Sequence, residues 1–420
     1  MPEKVEKDIF GTCTKFKRAR DRRWRGMVHQ WSQIRFRILL VIIALTGMTQ
    51  GLLIPLLTTL LEQKGVSSSI NGLNAAALYL GMLLMVPVVG PILRRAGYRR
   101  VILTGLLIIA CCAVLFPFFD GPPVWSGLLL LVGAGDCLLH FATQLWVTSA
   151  SPPETRGRHI TQYGFAFGAG FGLGPLGINL LNWGLWAPFS VMGASLLSAV
   201  LLTARLDLGA PPADEGKAGA RTGGKWADIY RWAFVALCPA FLYGFLDASL
   251  AASFPVYGHR EGLSTGWISV LLSTFVCGGL VLQMPLGMLS DRYGRKNVLM
   301  TICLLGGMGL AVVPSFSGEP AMLLGLFGLI GGLLGSLYSL GLAYLADLLP
   351  SSHMPEANAI AGAHFSVGCM MGPYAGGLLI HYIGGGSLFY ALALAFLTFV
   401  LLALLYPAPM GEGRRSGRAA

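Results

Sequence analysis

The chain has 420 residues, of which 55% are hydrophobic and only 12% charged, and its mean hydropathy is +0.67. Soluble globular proteins carry roughly 25% charged residues, so the composition excludes an ordinary soluble domain and points to a membrane protein. The net charge of +11 calls for no nucleic-acid partner, because the basic residues cluster at the ends of apolar runs, where they set topology.

Residues 1–35 form a basic segment expected to be cytoplasmic. It has no short apolar core followed by a small-residue cleavage site, so it is not read as a signal peptide. Trp24, Val28 and Trp31 recur at helical spacing amid arginines, which suits either a helix lying on an anionic leaflet or a disordered basic tail. Apolar stretches long enough to cross a bilayer core, roughly 20 residues each, then recur along the chain. Six fall at 36–62, 69–95, 100–119, 124–150, 159–184 and 187–205, so residues 36–205 make one bundle. Residues 206–230 are polar and rich in Gly and Pro, and read as a cytoplasmic linker. Six more stretches, 231–257, 265–291, 297–316, 320–348, 355–382 and 386–407, make a second bundle over 231–407. Residues 408–420 are a cytoplasmic tail. The fold class expected is an all-α membrane protein of twelve transmembrane helices in two pseudo-symmetric six-helix bundles.

Orientation follows from Lys and Arg. With the N-terminus inside, all 30 of them but Lys64 and Arg260 fall on the cytoplasmic side, a strong positive-inside bias. Both termini are therefore expected in the cytoplasm of a bacterial cell, with the chain a multi-pass protein of the plasma membrane. The cysteines lie mostly inside apolar runs with no C-x-x-C pair, so they read as packing residues. Neither a disulfide framework nor a metal site is expected, nor any cofactor. Trp125, Trp183, Trp186 and Trp267 fall near span ends, as interfacial anchors should.

The two halves repeat. Gly287-Met-Leu-Ser-Asp291-Arg292-Tyr-Gly294-Arg295-Lys296 reads as a short charged loop between spans 8 and 9. A damaged copy, Gly90-Pro-Ile-Leu-Arg94-Arg95-Ala-Gly97-Tyr-Arg99-Arg100, lies 197 positions earlier. At the same offset, Gly65-Val66-Ser67 matches Gly262-Leu263-Ser264. At an offset of 198, Gly170, Gly174 and Pro175 fall on Gly368, Gly372 and Pro373, and Pro152 falls on Pro350. Two similar many-helix halves are the plan of a secondary transporter.

On these residues the chain resembles the major facilitator superfamily over nearly all of 36–407. The segment Gly287–Lys296 is similar to that superfamily's signature G-x-x-x-D-R-x-G-R-[RK], and Gly170-x-x-x-Gly174-Pro175 resembles a motif of its drug/proton antiporters. Within the superfamily, the chain looks most similar to small bacterial efflux members. The resemblance implies two six-helix bundles rocking about a central cavity lined by spans 1, 4, 7 and 10. Two departures stand out. Arg94 occupies the acidic position of the first signature, and span 4 reads Leu131-Val-Gly-Ala-Gly135-Asp136 where many drug antiporters carry an arginine.

Intramembrane polar residues are costly and mark function. Asp136, His140 and Gln144 recur every four residues on span 4 and share a face. Asp247 lies in span 7 with Tyr243 one turn away. Asp136 is about 18 Å and Asp247 about 15 Å from the outer ends of their helices, so they can lie at similar depth in opposite halves. Register makes Gln50 the counterpart of Asp247, and Tyr338 that of His140. Asp247, Asp136 and His140 are the proton-coupling candidates. Gln50, Gln144, Tyr243, Tyr338 and His364 are the cavity candidates. Desolvation favours a neutral carboxyl and a nearby cation favours the charged one, so a cavity that opens and closes can load and unload a proton. The alternative is a satisfied polar pair that fixes helix packing. Asp136 and His140 have metal-ligand spacing, but two ligands are too few for zinc. Phe165, Phe167 and Tyr163 suit helix packing or an apolar substrate.

The gating candidates are Gly90, Arg94, Gly97, Arg158, Gly287, Asp291, Arg292, Gly294, Arg295 and Glu356. In this fold the end of span 8 meets the start of span 5, and the end of span 2 meets the start of span 11. Asp291 is therefore expected to find Arg158, and Arg94 to find Glu356, in the state closed to the cytoplasm. Three functions stay open: proton-coupled export of a small apolar or cationic compound, proton-coupled transport of a specific metabolite such as a sugar, amino-acid derivative or metal chelator, and a non-transporting sensor or intramembrane enzyme. Partners expected are a small molecule, protons and the bilayer, with the chain acting as a monomer.

Overall fold

The computed structural model describes residues 34–151, 155–206, 226–350 and 353–406. Most of the basic N-terminal segment, the linker and the tail, with Trp24, Val28, Trp31 and Pro152, lie outside the described residues. The described chain is helical throughout, with no strand among the described residues. The helices are α1 (Ile34–Gln63), α2 (Ser68–Ala96), α3 (Tyr98–Phe118), α4 (Pro122–Ala150), α5 (Arg156–Trp183) and α6 (Trp186–Ala204), then α7 (Trp226–Arg260), α8 (Thr265–Tyr293), α9 (Arg295–Phe316), α10 (Pro320–Leu348), α11 (Met354–Tyr382) and α12 (Ser387–Leu405). Eleven of the described helices are long and apolar enough to cross a membrane, and α11 has 29 residues. A helix of that length extends about 43 Å, more than the ~30 Å hydrocarbon core, so it spans with tilt.

Local chemistry sets the helix ends. Prolines open α4 and α10, where their missing N–H costs nothing. The corners repeat between halves. Gly65 and Gly262 have φ of 72° and 79°, and Gly97 and Gly294 have φ of 80° and 89°, a region that suits glycine. The offset of the signature segments is thus written in backbone geometry. Those segments are not loops, however. Gly287–Tyr293 are the last turns of α8, Gly294 is the whole connection, and Arg295 already opens α9. The first copy is alike, with α2 running to Ala96 and α3 starting after Gly97. A single left-handed glycine suffices to reverse the chain, so no longer loop is needed.

Two apolar cores form. One gathers residues from Phe36 to Leu206 with Ala252 of α7, and the other residues from Ile229 to Ala403. Glycines bring backbones together inside each half, as is usual in lipid. A Cβ on Gly170 would sit 2.0 Å from the Ala44 carbonyl oxygen, and one on Gly368 would sit 2.3 Å from that of Phe241. The repeated Gly-x-x-x-Gly-Pro motif therefore seats α5 on α1 and α11 on α7. Trp125 corrects an expectation. It is 2% exposed and donates its indole N–H to the Phe119 carbonyl at 2.7 Å, so it serves packing. Trp183 and Trp186 are exposed.

The halves meet at the end of the bundle that carries Gly65 and Gly262, here called the distal end. A Cβ on Gly72 of α2 would lie 2.1 Å from the Pro373 carbonyl oxygen of α11, and one on Gly377 would lie 2.3 Å from that of Ser68. Asn179 of α5 donates to Ser269 of α8 at 2.8 Å, and Arg260 pairs with Glu62. At the opposite end, Phe165 of α5, Leu84 of α2, and Val281, Met284 and Met288 of α8 are exposed. Among the described residues, the hydrogen bonds and ion pairs between the halves lie at the distal end and none at the end where α1 begins, so the structure is closed distally and open there.

Candidate functional site

Asp136 is the only Asp, Glu, Lys or Arg that is fully buried among the described residues. It is 0% exposed, and neither carboxyl oxygen has a partner at hydrogen-bond distance. Buried polar atoms are normally bonded, so an unmade pair in mid-membrane is a mark of function. Gln50 of α1 is its polar neighbour. Gln50 itself bonds His140, Nε2 to Nε2, at 3.1 Å. The other imidazole nitrogen, Nδ1, lies 3.2 Å from the Tyr163 hydroxyl, which lies 3.1 Å from Thr143 Oγ1. Three helices, α1, α4 and α5, thus converge on His140. They can do so because Gly47, Gly51 and Gly170 let α1 and α5 approach backbone to backbone.

Asp247 of α7 is half-buried and makes no hydrogen bond or ion pair among the described residues. Tyr243 and Cys369 lie within its electrostatic reach. Tyr79 of α2 is within reach of Asp136, Asp247 and Cys369 together. It is therefore near an acid of each half, although sequence reasoning passed over it. A lone hydroxyl-bearing ring deep in an apolar span was the available signal.

The remaining candidates sort as follows. Tyr338 meets Phe365 edge-on at 5.4 Å, as its counterpart His140 meets Phe167 at 5.1 Å. Tyr243 stacks on the same Phe365 at 6.0 Å. Gln144 is exposed. The His364 ring bonds its own helix, Nδ1 to the Ile360 carbonyl at 2.9 Å, and lies beside Tyr230, away from the two acids. Every described Lys and Arg lies near a helix end, so no basic side chain reaches the acids from within the spans. No cluster of metal-ligating residues occurs among the described residues.

The gating pairs are not made in this structure. Asp291 bonds Arg295 at 3.2 Å within its own segment, and Arg295 also holds Asp347 of α10 at 2.8 Å. Arg158 and Arg94 are exposed, and neither makes an ion pair among the described residues. Gly90, Gly97, Gly287, Arg292 and Gly294 flank these positions at the ends of α2 and α8. The expected pairs belong to a state closed at this end, and here this end is open. Sequence reasoning also missed Asp347 and Glu62, whose partners lie on other helices.

The profile described as Major Facilitator Superfamily matches residues 39–272 and 240–420. The chain belongs to the major facilitator superfamily. It is 37% identical over 381 residues to the MFS-type transporter YfkF of Bacillus subtilis (strain 168), covering 90% of this chain and 96% of that one. It is 24% identical over 339 residues to the MFS-type transporter Ent638_1421 of Enterobacter sp. (strain 638), covering 79% and 85%. Among solved structures it is similar to a mutant form of the nucleoside transporter NupG, with a TM-score of 0.65 and 15% identity over 88% of this chain and 99% of that chain. Members of this superfamily are transport proteins, so the chain is a multi-pass membrane transporter and not an enzyme.

Proposed function

We propose that this transporter exports a small apolar or cationic compound in exchange for protons, by alternating access between the distally closed state seen here and its reverse. The observation that carries the reading is the pair of intramembrane acids, buried Asp136 in one half and half-buried Asp247 in the other, with Tyr79 in reach of both and every described Lys and Arg near a helix end, away from an anionic cargo at that depth. A carboxylate in such a site attracts a cation and repels an anion, and it releases one cation more readily when it takes up another. A substrate cation and a proton can therefore compete for Asp247. The antiporter-type glycine motif of α5 supports the efflux branch. The chain acts as a monomer in the bacterial plasma membrane, with both termini cytoplasmic.

The test is flux in proteoliposomes under an imposed proton gradient, with a panel of lipophilic cations, neutral amphiphiles and polar metabolites, nucleosides included. Gradient-driven movement of cations supports the proposal. Movement of a polar metabolite alone favours the second reading, which the amides of Gln50 and Gln144 would serve as hydrogen-bonding groups. Flux indifferent to the gradient sinks proton coupling.

A further inference from the structure

The hydrogens around His140 can be assigned one by one. Thr143 has a single hydroxyl hydrogen. Its Oγ1 lies 2.8 Å from the Leu139 carbonyl oxygen and 3.2 Å from that of His140. A carbonyl only accepts, so that hydrogen is used on the backbone. For every one of these contacts to be a hydrogen bond, Tyr163, 3.1 Å away, donates to Thr143. With its own hydrogen so placed, Tyr163 can only accept from His140, which therefore carries its proton on Nδ1. The opposite nitrogen of a neutral imidazole is an acceptor, and the Gln50 amide N–H fills it at 3.1 Å. This order also fixes which end of the Gln50 amide faces His140, a choice that atom positions alone do not make. An imidazolium would set N–H against N–H at that contact.

The ring of His140 has no open site left, whereas Asp136, one turn earlier on α4, has two unbonded oxygens at 0% exposure. The other titratable groups around Asp136 are Cys137 on its own helix, Tyr79 from α2 and, beyond Tyr79, Asp247 from α7. We propose that Thr143, Tyr163 and Gln50 are positioning residues that hold His140 as a neutral relay with both ring nitrogens occupied, which leaves Asp136, with its two unbonded oxygens, as the proton-carrying group of α4. A proton arriving at Asp136 goes to a carboxyl oxygen that holds no hydrogen bond, so no bond of the His140 chain changes. A proton arriving at His140 would instead break its contact with Gln50. The inference rests on the proton-coupling reading for its purpose, but not for its geometry.

The experiment is nitrogen-15 NMR of the histidine rings in the full-length protein in lipid nanodiscs, with the His140 signal identified by its loss in His140→Asn. Wild type is expected to show a single neutral form protonated at Nδ1. Thr143→Val removes the fixed end of the chain with little change of shape and is expected to give a mixture of the two neutral forms. Thr143→Ser restores the hydroxyl and should restore the single form. Tyr163→Phe should also lose it. Infrared spectra of the same samples should contain a protonated-carboxyl band that disappears in Asp136→Asn. A wild-type His140 found as the Nε2-protonated form or as imidazolium, or a Thr143→Val protein that keeps one form, overturns the proposal. So does a carboxyl spectrum unchanged by Asp136→Asn. If the rings behave as stated but flux ignores a proton gradient, the transport reading fails and the relay stands. Proton-driven flux with a freely titrating His140 sinks the relay and leaves the transport reading standing.

Discussion

Arg260, in the last turn of α7, holds Glu62 in the last turn of α1, with Nε 2.8 Å from Oε1. The pair joins the two halves across the distal end, where the backbones of α2 and α11 also touch. It therefore favours the state closed there. The side chains are 39% and 15% exposed, so water screens the attraction and the pair contributes about 1 kcal/mol at most, roughly fivefold in an equilibrium. Arg260→Gln is expected to raise the distally open population by up to that factor. Spin labels placed across the distal opening would measure it. The reversed pair, Glu62→Arg with Arg260→Glu, should return the distances to those of wild type, and failure to do so would deny the pair a role in closure.

Two glycine substitutions separate closure from folding. Gly72 meets Pro373 in the other half, whereas Gly133 meets Leu78 within its own half, where a Cβ would lie 1.9 Å from the carbonyl oxygen. Overpacking of this kind costs about 1–3 kcal/mol. Gly133→Ala is expected to lower thermal stability, because α2 and α4 are apposed in every state of that half. Gly72→Ala should leave stability near wild type and shift the protein towards the distally open state. Equal losses of melting temperature in both would contradict this division.

Asp247→Asn tests coupling itself. Asp247 is half-buried and without an ion pair among the described residues, so removing its charge breaks no structural contact. Expression and thermal stability are expected to stay within the range of wild type, while proton-driven flux is abolished. Exchange of substrate across the membrane without a gradient should survive if Asp247 serves the proton alone, and disappear if it also binds the cargo. Flux with an unaltered pH dependence would remove Asp247 from the mechanism.

The fold was legible because lipid imposes a coarse rule: each crossing needs a long apolar run, and each corner leaves glycine or charge. Gly65, Gly97, Gly262 and Gly294 could be matched by offset because these short reversals need positive φ at the same place in both halves. Asp136, His140, Gln50 and Asp247 stood out because polar groups are rare at that depth. Their partners did not. Thr143 looks like any β-branched residue of an apolar helix, and only the fold brings Tyr163 from α5 to within 3.1 Å of it. Glu62 reads as a surface charge until α7 places Arg260 beside it. Pairing across distant segments leaves no local pattern, and a pair made in one conformation is open in the other.

The charged ends of α2 and α8 are such a case. Here Asp291 turns back onto Arg295, while Arg295 holds Asp347, and the opening between the halves keeps Arg158 away. When the halves rock, the end of α8 approaches the start of α5, whose free N–H groups and partial positive charge suit the Asp291 carboxylate. In the other half, Arg94 replaces the acid, and an arginine facing a helix N-terminus would be disfavoured on its own. The register offers the remedy, since Glu356 of α11 is the counterpart of Arg158. Arg94 with Glu356, and Asp291 with Arg158, then form two latches of opposite polarity in the state closed at this end. Each is worth about 1 kcal/mol where water still reaches it. Arg94→Glu is expected to slow flux several-fold by weakening that state, and adding Glu356→Arg should recover part of the loss. Undiminished flux in Arg94→Glu, or a double variant no better than the single one, would rule the pairing out.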